Sequence, residues 1–287
     1  MDYYDRLLDD AALLAERAPD RYPPELWQTT ARAASQLDLS LAVQLLQRSY
    51  QPMAAIRGLG ETLVRSSKDG TMQPVAVYVP TTYTAGKPAP LIVFLHGHQQ
   101  AESHLLAPEY LQKLAENTGT IVVAPYGRGA YDYRGAENDI NDTYQAAARA
   151  FTIDARKSYL AGYSMGGFSA FRIAPLHPAY WTAILSIAGS LLQSRSGPLL
   201  SAMRENVRYY IVTGSHDDNV PTLWPTATAI FLRDVGRPVS FYSQADGTHA
   251  LFTLQPALTQ AWNDMERGVV RSPSGLTGPP NLPEAIP

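Results

Sequence analysis

From Leu91 onward the chain alternates short apolar runs with stretches of helical character, and that rhythm leaves few folds open. The runs are Leu91 to Leu95, Thr120 to Ala124, Ser158 to Ala161, Ala183 to Ile187, Val207 to Thr213 and Val239 to Ser243. A strand that is apolar on both faces has to be covered on both, so such runs joined by helices predict a parallel sheet between helix layers. Upstream, Gly60 to Ser66 and Pro74 to Pro80 flank the turn signal Lys68-Asp69-Gly70 and read as an antiparallel hairpin at the leading edge of the sheet. The expected class is α/β: a mostly parallel central sheet with helices on both faces, an antiparallel N-terminal hairpin and an N-terminal helical extension.

That extension, residues 1–55, carries Leu7, Ala11 and Leu14 and later Leu41, Leu45 and Leu46 at turn spacing, broken at Pro23-Pro24. Two or three short helices are expected there. A packed extension without a catalytic role is the first reading, with capping, shielding of a site or formation of a homo-oligomer as alternatives. Residues 56–271 form the α/β domain, and 272–287 are a Pro/Gly-rich tail expected to be extended.

Ligands of parallel sheets bind beyond the carboxyl ends of the strands, so the residues that follow each strand are the ones to inspect. After Ser158 to Ala161 comes Gly162-Tyr163-Ser164-Met165-Gly166-Gly167, then a helical run from Phe168 to Ala174. A serine between glycines two positions away on either side, at a strand-to-helix turn, is lifted out of the sheet on a strained backbone. Ser164 is the candidate nucleophile. Beyond Thr213 lie Asp217 and Asp218, either of which can orient a histidine, with Asp217 preferred because it comes sooner after the strand. His249, beyond the last strand on a Gly-containing loop, supplies the base in the order serine, acid, histidine that this architecture uses. Of the six histidines, His104, His177 and His216 sit in helix-leading or turn contexts and compete weakly.

After Leu95, His96-Gly97-His98 lets the backbone turn under a ligand. The His98 amide is expected to share an oxyanion with the amide of Met165, while His96 is read as a loop-holding side chain. Gln99, Tyr126, Arg128 and Trp224, with Tyr131, Tyr133, Arg134 and Trp181, are candidates for lining the substrate pocket.

The chain carries a net charge of −3 without long runs of one sign, which gives no electrostatic footprint for nucleic acid or an anionic membrane. It has no cysteine, so thiolate chemistry and Cys-based metal sites are excluded. The N-terminal residues lack a signal-like pattern and no apolar run reaches membrane-spanning length, so a cytoplasmic location is expected.

Together, Pro90 to Gly97, Tyr126 to Gly129 with Asp139, Ile153-Asp154 leading to Gly162 through Gly167, Gly214 to Pro221 and Gly247 to His249 resemble the α/β-hydrolase superfamily, in its esterase and prolyl-oligopeptidase-like branch. The resemblance spans about Gly60 to Arg267. In that branch the acid stands four residues before the proline of its loop, which again selects Asp217. The resemblance implies hydrolysis of small acyl or aryl esters, feruloyl or acetyl among them, through a Ser-His-Asp triad and an acyl-enzyme, with no metal or cofactor required. A serine peptidase or acyl-peptide hydrolase, an acyltransferase with the same triad, and a non-catalytic binding protein of this fold are the rivals.

Overall fold

The computed structural model describes residues 24–129, 133–273 and 275–286. In chain order its first elements are α1 (Pro24–Gln47), β1 (Gly58–Arg65), β2 (Met72–Val79), β3 (Ala89–Leu95), α2 (Glu102–Leu106), α3 (Glu109–Thr118), β4 (Ile121–Pro125) and α4 (Glu137–Ala150). They are followed by β5 (Ile153–Tyr163), α5 (Met165–Ile173), β6 (Ala183–Ile187), α6 (Gln193–Ala202), β7 (Arg208–Gly214), α7 (Leu223–Asp234), β8 (Val239–Gln244) and α8 (Gln255–Arg267). The expected α/β class, with a mostly parallel sheet and an antiparallel N-terminal hairpin, is the one observed. Two compact units divide the chain: 1–89 with 96–152, and 90–95 with 153–287.

In the first unit, β1 pairs antiparallel with β2 from Gly58 opposite Val79 to Arg65 opposite Met72, and β2 pairs antiparallel with β4. The hairpin turns where expected: Asp69 Oδ1 accepts the Thr71 amide and hydroxyl, and Gly70 takes the left-handed φ of 75° that the turn requires. Helix α1 begins at Pro24, a residue whose missing N–H costs nothing in a first turn, and it buries Ala34, Leu37 and Leu41. It is a single helix of 24 residues. The apolar positions Leu7, Ala11 and Leu14 lie outside the described residues.

The second unit orders its strands β3-β5-β6-β7-β8, with β5 through β8 parallel, Tyr159 opposite Ala183 and Tyr209 opposite Val239. All five residues of β6 are buried, as expected of a strand covered on both faces. Each such Ile or Leu contributes about 1.5–3 kcal/mol relative to an exposed side chain. Strand β5 is longer than its apolar run: its first five residues, Ile153 to Lys157, are half-buried or exposed, with Arg156 held by Asp154. Helix α5 starts at Met165, three residues before the expected apolar run. Gly166 and Gly167 are poor helix formers, yet a Cβ at Gly162 would lie 2.1 Å from the Gly166 carbonyl oxygen, and one at Gly167 would lie 3.0 Å from Ser186 Oγ. Close packing therefore overrides propensity here.

Candidate active site

Strand β5 ends at Tyr163, and the next residue, Ser164, has φ 52° and ψ −119°, outside the regions a side-chain-bearing residue favours. Its neighbours hold it there. The Ser164 amide donates to the Ile187 carbonyl at the end of β6 (2.8 Å), and the Phe168 amide donates to the Ser164 carbonyl (3.1 Å). Any side chain at position 162 would collide with the first turn of α5, so the reversal depends on that glycine. Met165 opens α5, where its N–H has no acceptor within the helix.

Asp217 follows β7. Its side chain is fully buried, and Oδ1 accepts the amides of Asn219 (3.0 Å) and Val220 (2.8 Å). Asp218 is exposed. His249 follows β8, with Nδ1 at 2.9 Å and 3.0 Å from the two Asp217 oxygens and Nε2 at 2.9 Å from Ser164 Oγ. A carboxylate that accepts the Nδ1 proton leaves the Nε2 lone pair facing the serine hydroxyl. Bare backbone brings the acid and histidine loops together: a Cβ at Gly214 would lie 2.2 Å from the Gly247 carbonyl oxygen, and the His216 amide donates to that same oxygen (2.8 Å). Ser164, Asp217 and His249, far apart in sequence, thus meet as a hydrogen-bonded series within one unit.

The remaining sequence candidates fall into different surroundings. Trp224 lies in the first turn of α7, half-buried, with its ring edge-on to Phe168 (centroids 6.4 Å). In the first unit, His98 is exposed on the turn after β3, and Gln99 is half-buried with φ 56°. His96 is fully buried, with its ring nitrogens 2.9 Å from the Gly97 and Tyr126 carbonyl oxygens, so it ties the loop. Tyr126 and Tyr133 are buried, and Arg134 is exposed. Tyr131 lies outside the described residues.

Two pocket assignments change. Arg128 donates from Nε to Asp139, from Nη1 to Asp69 (2.5 Å) and from Nη2 to Ser66 Oγ (2.7 Å), so its guanidinium is engaged by the protein. Those hydrogen bonds, first with Asp69 and then with Asp139, push the Arg128 pKa up, and Arg128 holds the Asp69 carboxyl well below its usual range. Trp181 is 1% exposed and packs edge-on to Tyr180, making it a core residue and not a pocket wall. Tyr163, which stands in the serine motif without an expected role, contacts the histidine loop, and nothing in the local pattern announces it. Among the described residues, no three metal-ligating side chains gather, and no helix is long and apolar enough to cross a membrane.

A strained serine at a strand-to-helix reversal, followed along the chain by an acid and a histidine at later strand ends, defines the α/β-hydrolase class. Within it, the chain belongs to the Esterase family, whose model matches residues 66–245. Over 105 residues it is 27% identical to a bifunctional acetylxylan esterase/xylanase from Neocallimastix patriciarum. That match covers 35% of this chain and spans 15% of the length of the relative. In structure it is similar to a fluorophosphonate-binding serine hydrolase of Staphylococcus aureus, with TM-score 0.61 and 16% identity over 73% of this chain and 98% of that one. It is also similar to a CE1 ferulic acid esterase from Anaeromyces mucronatus, solved with ferulic acid, with TM-score 0.57 and 16% identity over 72% and 89% of the two chains.

Proposed function

We propose that the chain hydrolyses esters of small acyl or aryl acids through a Ser164-His249-Asp217 triad and an acyl-enzyme. The observation that carries this reading is the continuous series from Asp217 through His249 to Ser164 Oγ, with every link at 2.9–3.0 Å. His249 Nε2 takes the hydroxyl proton as Ser164 Oγ attacks the ester carbonyl carbon. The tetrahedral oxyanion is met by the Met165 amide at the start of α5. As the carbon–oxygen bond to the alcohol breaks, His249 returns the proton to the leaving oxygen. Water then adds to the acyl-enzyme with His249 again as base, and the acid leaves as Ser164 regains its proton. Losing one oxyanion donor typically raises the barrier by about 2.7–4 kcal/mol, so the amide matters on the same scale as the side chains.

The acetylxylan and ferulic acid activities named for the relatives support acetyl and feruloyl esters as the first substrates to try. Fluorophosphonate labelling of the parent and of Ser164→Ala, with p-nitrophenyl esters of increasing acyl length, methyl ferulate and an aminoacyl nitroanilide, tests the proposal. Labelling and ester turnover should vanish in Ser164→Ala, with kcat down roughly a millionfold. Retained labelling would refute the mechanism, and anilide cleavage exceeding ester cleavage would favour a peptidase.

A further inference from the structure

The residue just before the proposed nucleophile is joined to the loop that carries the proposed base. Tyr163 is 6% exposed, and its hydroxyl donates to the His249 carbonyl oxygen at 2.6 Å. Its ring lies against the imidazole, with centroids 5.4 Å apart and planes tilted by 35°. The two residues are 86 positions apart in the chain, so this contact is made only in the folded unit. The geometry points to Tyr163 as a positioning residue that sets the His249 imidazole in line with Ser164 Oγ. The inference rests on the triad reading above.

Three observations support this role. Asp217 and Ser164 meet the two ring nitrogens of His249, and that line holds only while the backbone that carries the ring stays fixed. The rest of the histidine loop is fixed upstream by the Gly247 carbonyl, which accepts the His216 amide, and by the Thr248 amide, which donates to Thr253 Oγ1, and downstream by the Ala250 carbonyl, which accepts the Thr253 hydroxyl. At residue 249 itself, the tie to the backbone carbonyl comes from Tyr163. Because Tyr163 directly precedes Ser164, the same short segment fixes the hydroxyl and the carbonyl of the residue that must reach it. The spacing between Oγ and Nε2 is thereby set within one rigid piece, which proton transfer requires. A tyrosine that merely filled the core would contribute its ring alone, and deleting its oxygen would leave turnover unchanged.

Tyr163→Phe removes that oxygen and keeps the ring. We expect kcat to fall about 10- to 100-fold with KM within about twofold, because misplacement of a catalytic group slows chemistry without weakening substrate binding. 4-Aminophenylalanine at position 163 restores a donor and should recover most of the loss. The downfield proton resonance of the His249–Asp217 bond should broaden in the Phe variant and sharpen again on rescue. Tyr163→Met fills the same space without a donor and provides the same kinetic readout if the Phe variant does not accumulate. Ser164→Ala is assayed alongside: if it stays active, the triad reading fails. If Ser164→Ala is inactive while a folded Tyr163→Phe or Tyr163→Met keeps the parental kcat, the triad stands and the positioning role is overturned.

Discussion

Two groups of polar side chains, one in each unit, are built from similar residues and behave in opposite ways. In the second unit, a buried carboxylate, an imidazole and a hydroxyl stand in series, and the series ends on Ser164 Oγ. In the first, the Arg128 guanidinium closes on Asp69, Asp139 and Ser66, so each charge meets its opposite at contact. Within the closed group the pairing also sets ionisation: Arg128 is pushed up and Asp69 is held down. Strong mutual pairing locks both partners in one protonation state and makes a strut. A group that must hand a proton back and forth needs a partner that orients it while leaving one nitrogen directed at a reactant. The guide to the site is therefore the direction in which a hydrogen-bond series ends.

The comparison is most easily broken at Asp217. Asp217→Asn keeps the shape but presents Nδ1 with a donor where it needs an acceptor, so the favoured tautomer is the wrong one; kcat should fall roughly ten-thousandfold. Asp218→Asn, at an exposed position, should change kcat by less than about twofold in the same ester assay. A reversed pattern would move the acid to Asp218.

Next in size is the backbone junction. In Gly214→Ala the added carbon meets the Gly247 carbonyl at 2.2 Å, and since that contact is with backbone, the histidine loop has to move. About a hundredfold loss of kcat is expected, with KM little altered. Unchanged kinetics would show that the acid and histidine loops do not set each other's position.

The closed group should respond in stability alone. Asp139 has a side chain 1% exposed, and Asp139→Asn removes the more buried of the two carboxylates facing Arg128. Breaking a buried pair from one side costs about 3 kcal/mol, and urea unfolding should record a loss of that order. Turnover per folded molecule should stay within about twofold of the parent. A selective fall in kcat would return this cluster to the reactive machinery.

What could be read from the sequence divides along the same line. Ser164, Asp217 and His249 could be picked from the sequence as candidates because each sits just beyond an apolar strand and the architecture orders serine, acid and histidine. Arg128 was misread for the same reason: it too follows a strand end. Its partners Asp69 and Asp139 lie 59 and 11 positions away, and no periodicity brings them to it. Tyr163 was invisible in a different sense, since the atom it binds is a backbone carbonyl, which every residue possesses. The early start of α5 was hidden because Gly166 and Gly167 argue against helix until the close packing with β5 and β6 is known.

The smallest expected effect concerns acid stability and separates pairing from catalysis most cleanly. In the folded chain the Asp69 carboxyl is held well below its ordinary 3.8, first by the Arg128 hydrogen bond and then by the Thr71 hydroxyl and amide. A carboxyl with a depressed folded value stabilises the fold fully above its unfolded value and loses that contribution as the pH falls through the folded one. Parental stability should therefore decline below about pH 4, in part through Asp69. Asp69→Asn carries no titrating group there, so it should melt lower than the parent near neutrality, and the gap should narrow as the pH drops toward 2.5. Because Asp69 is partly exposed and open to screening by salt, the gap should also shrink in high salt. Paired melting curves of the two chains across that range check the sign: a gap that widens in acid would mean that Arg128 does not hold the Asp69 carboxylate in its charged form, and the closed group would lose its standing as the counterpart of the triad.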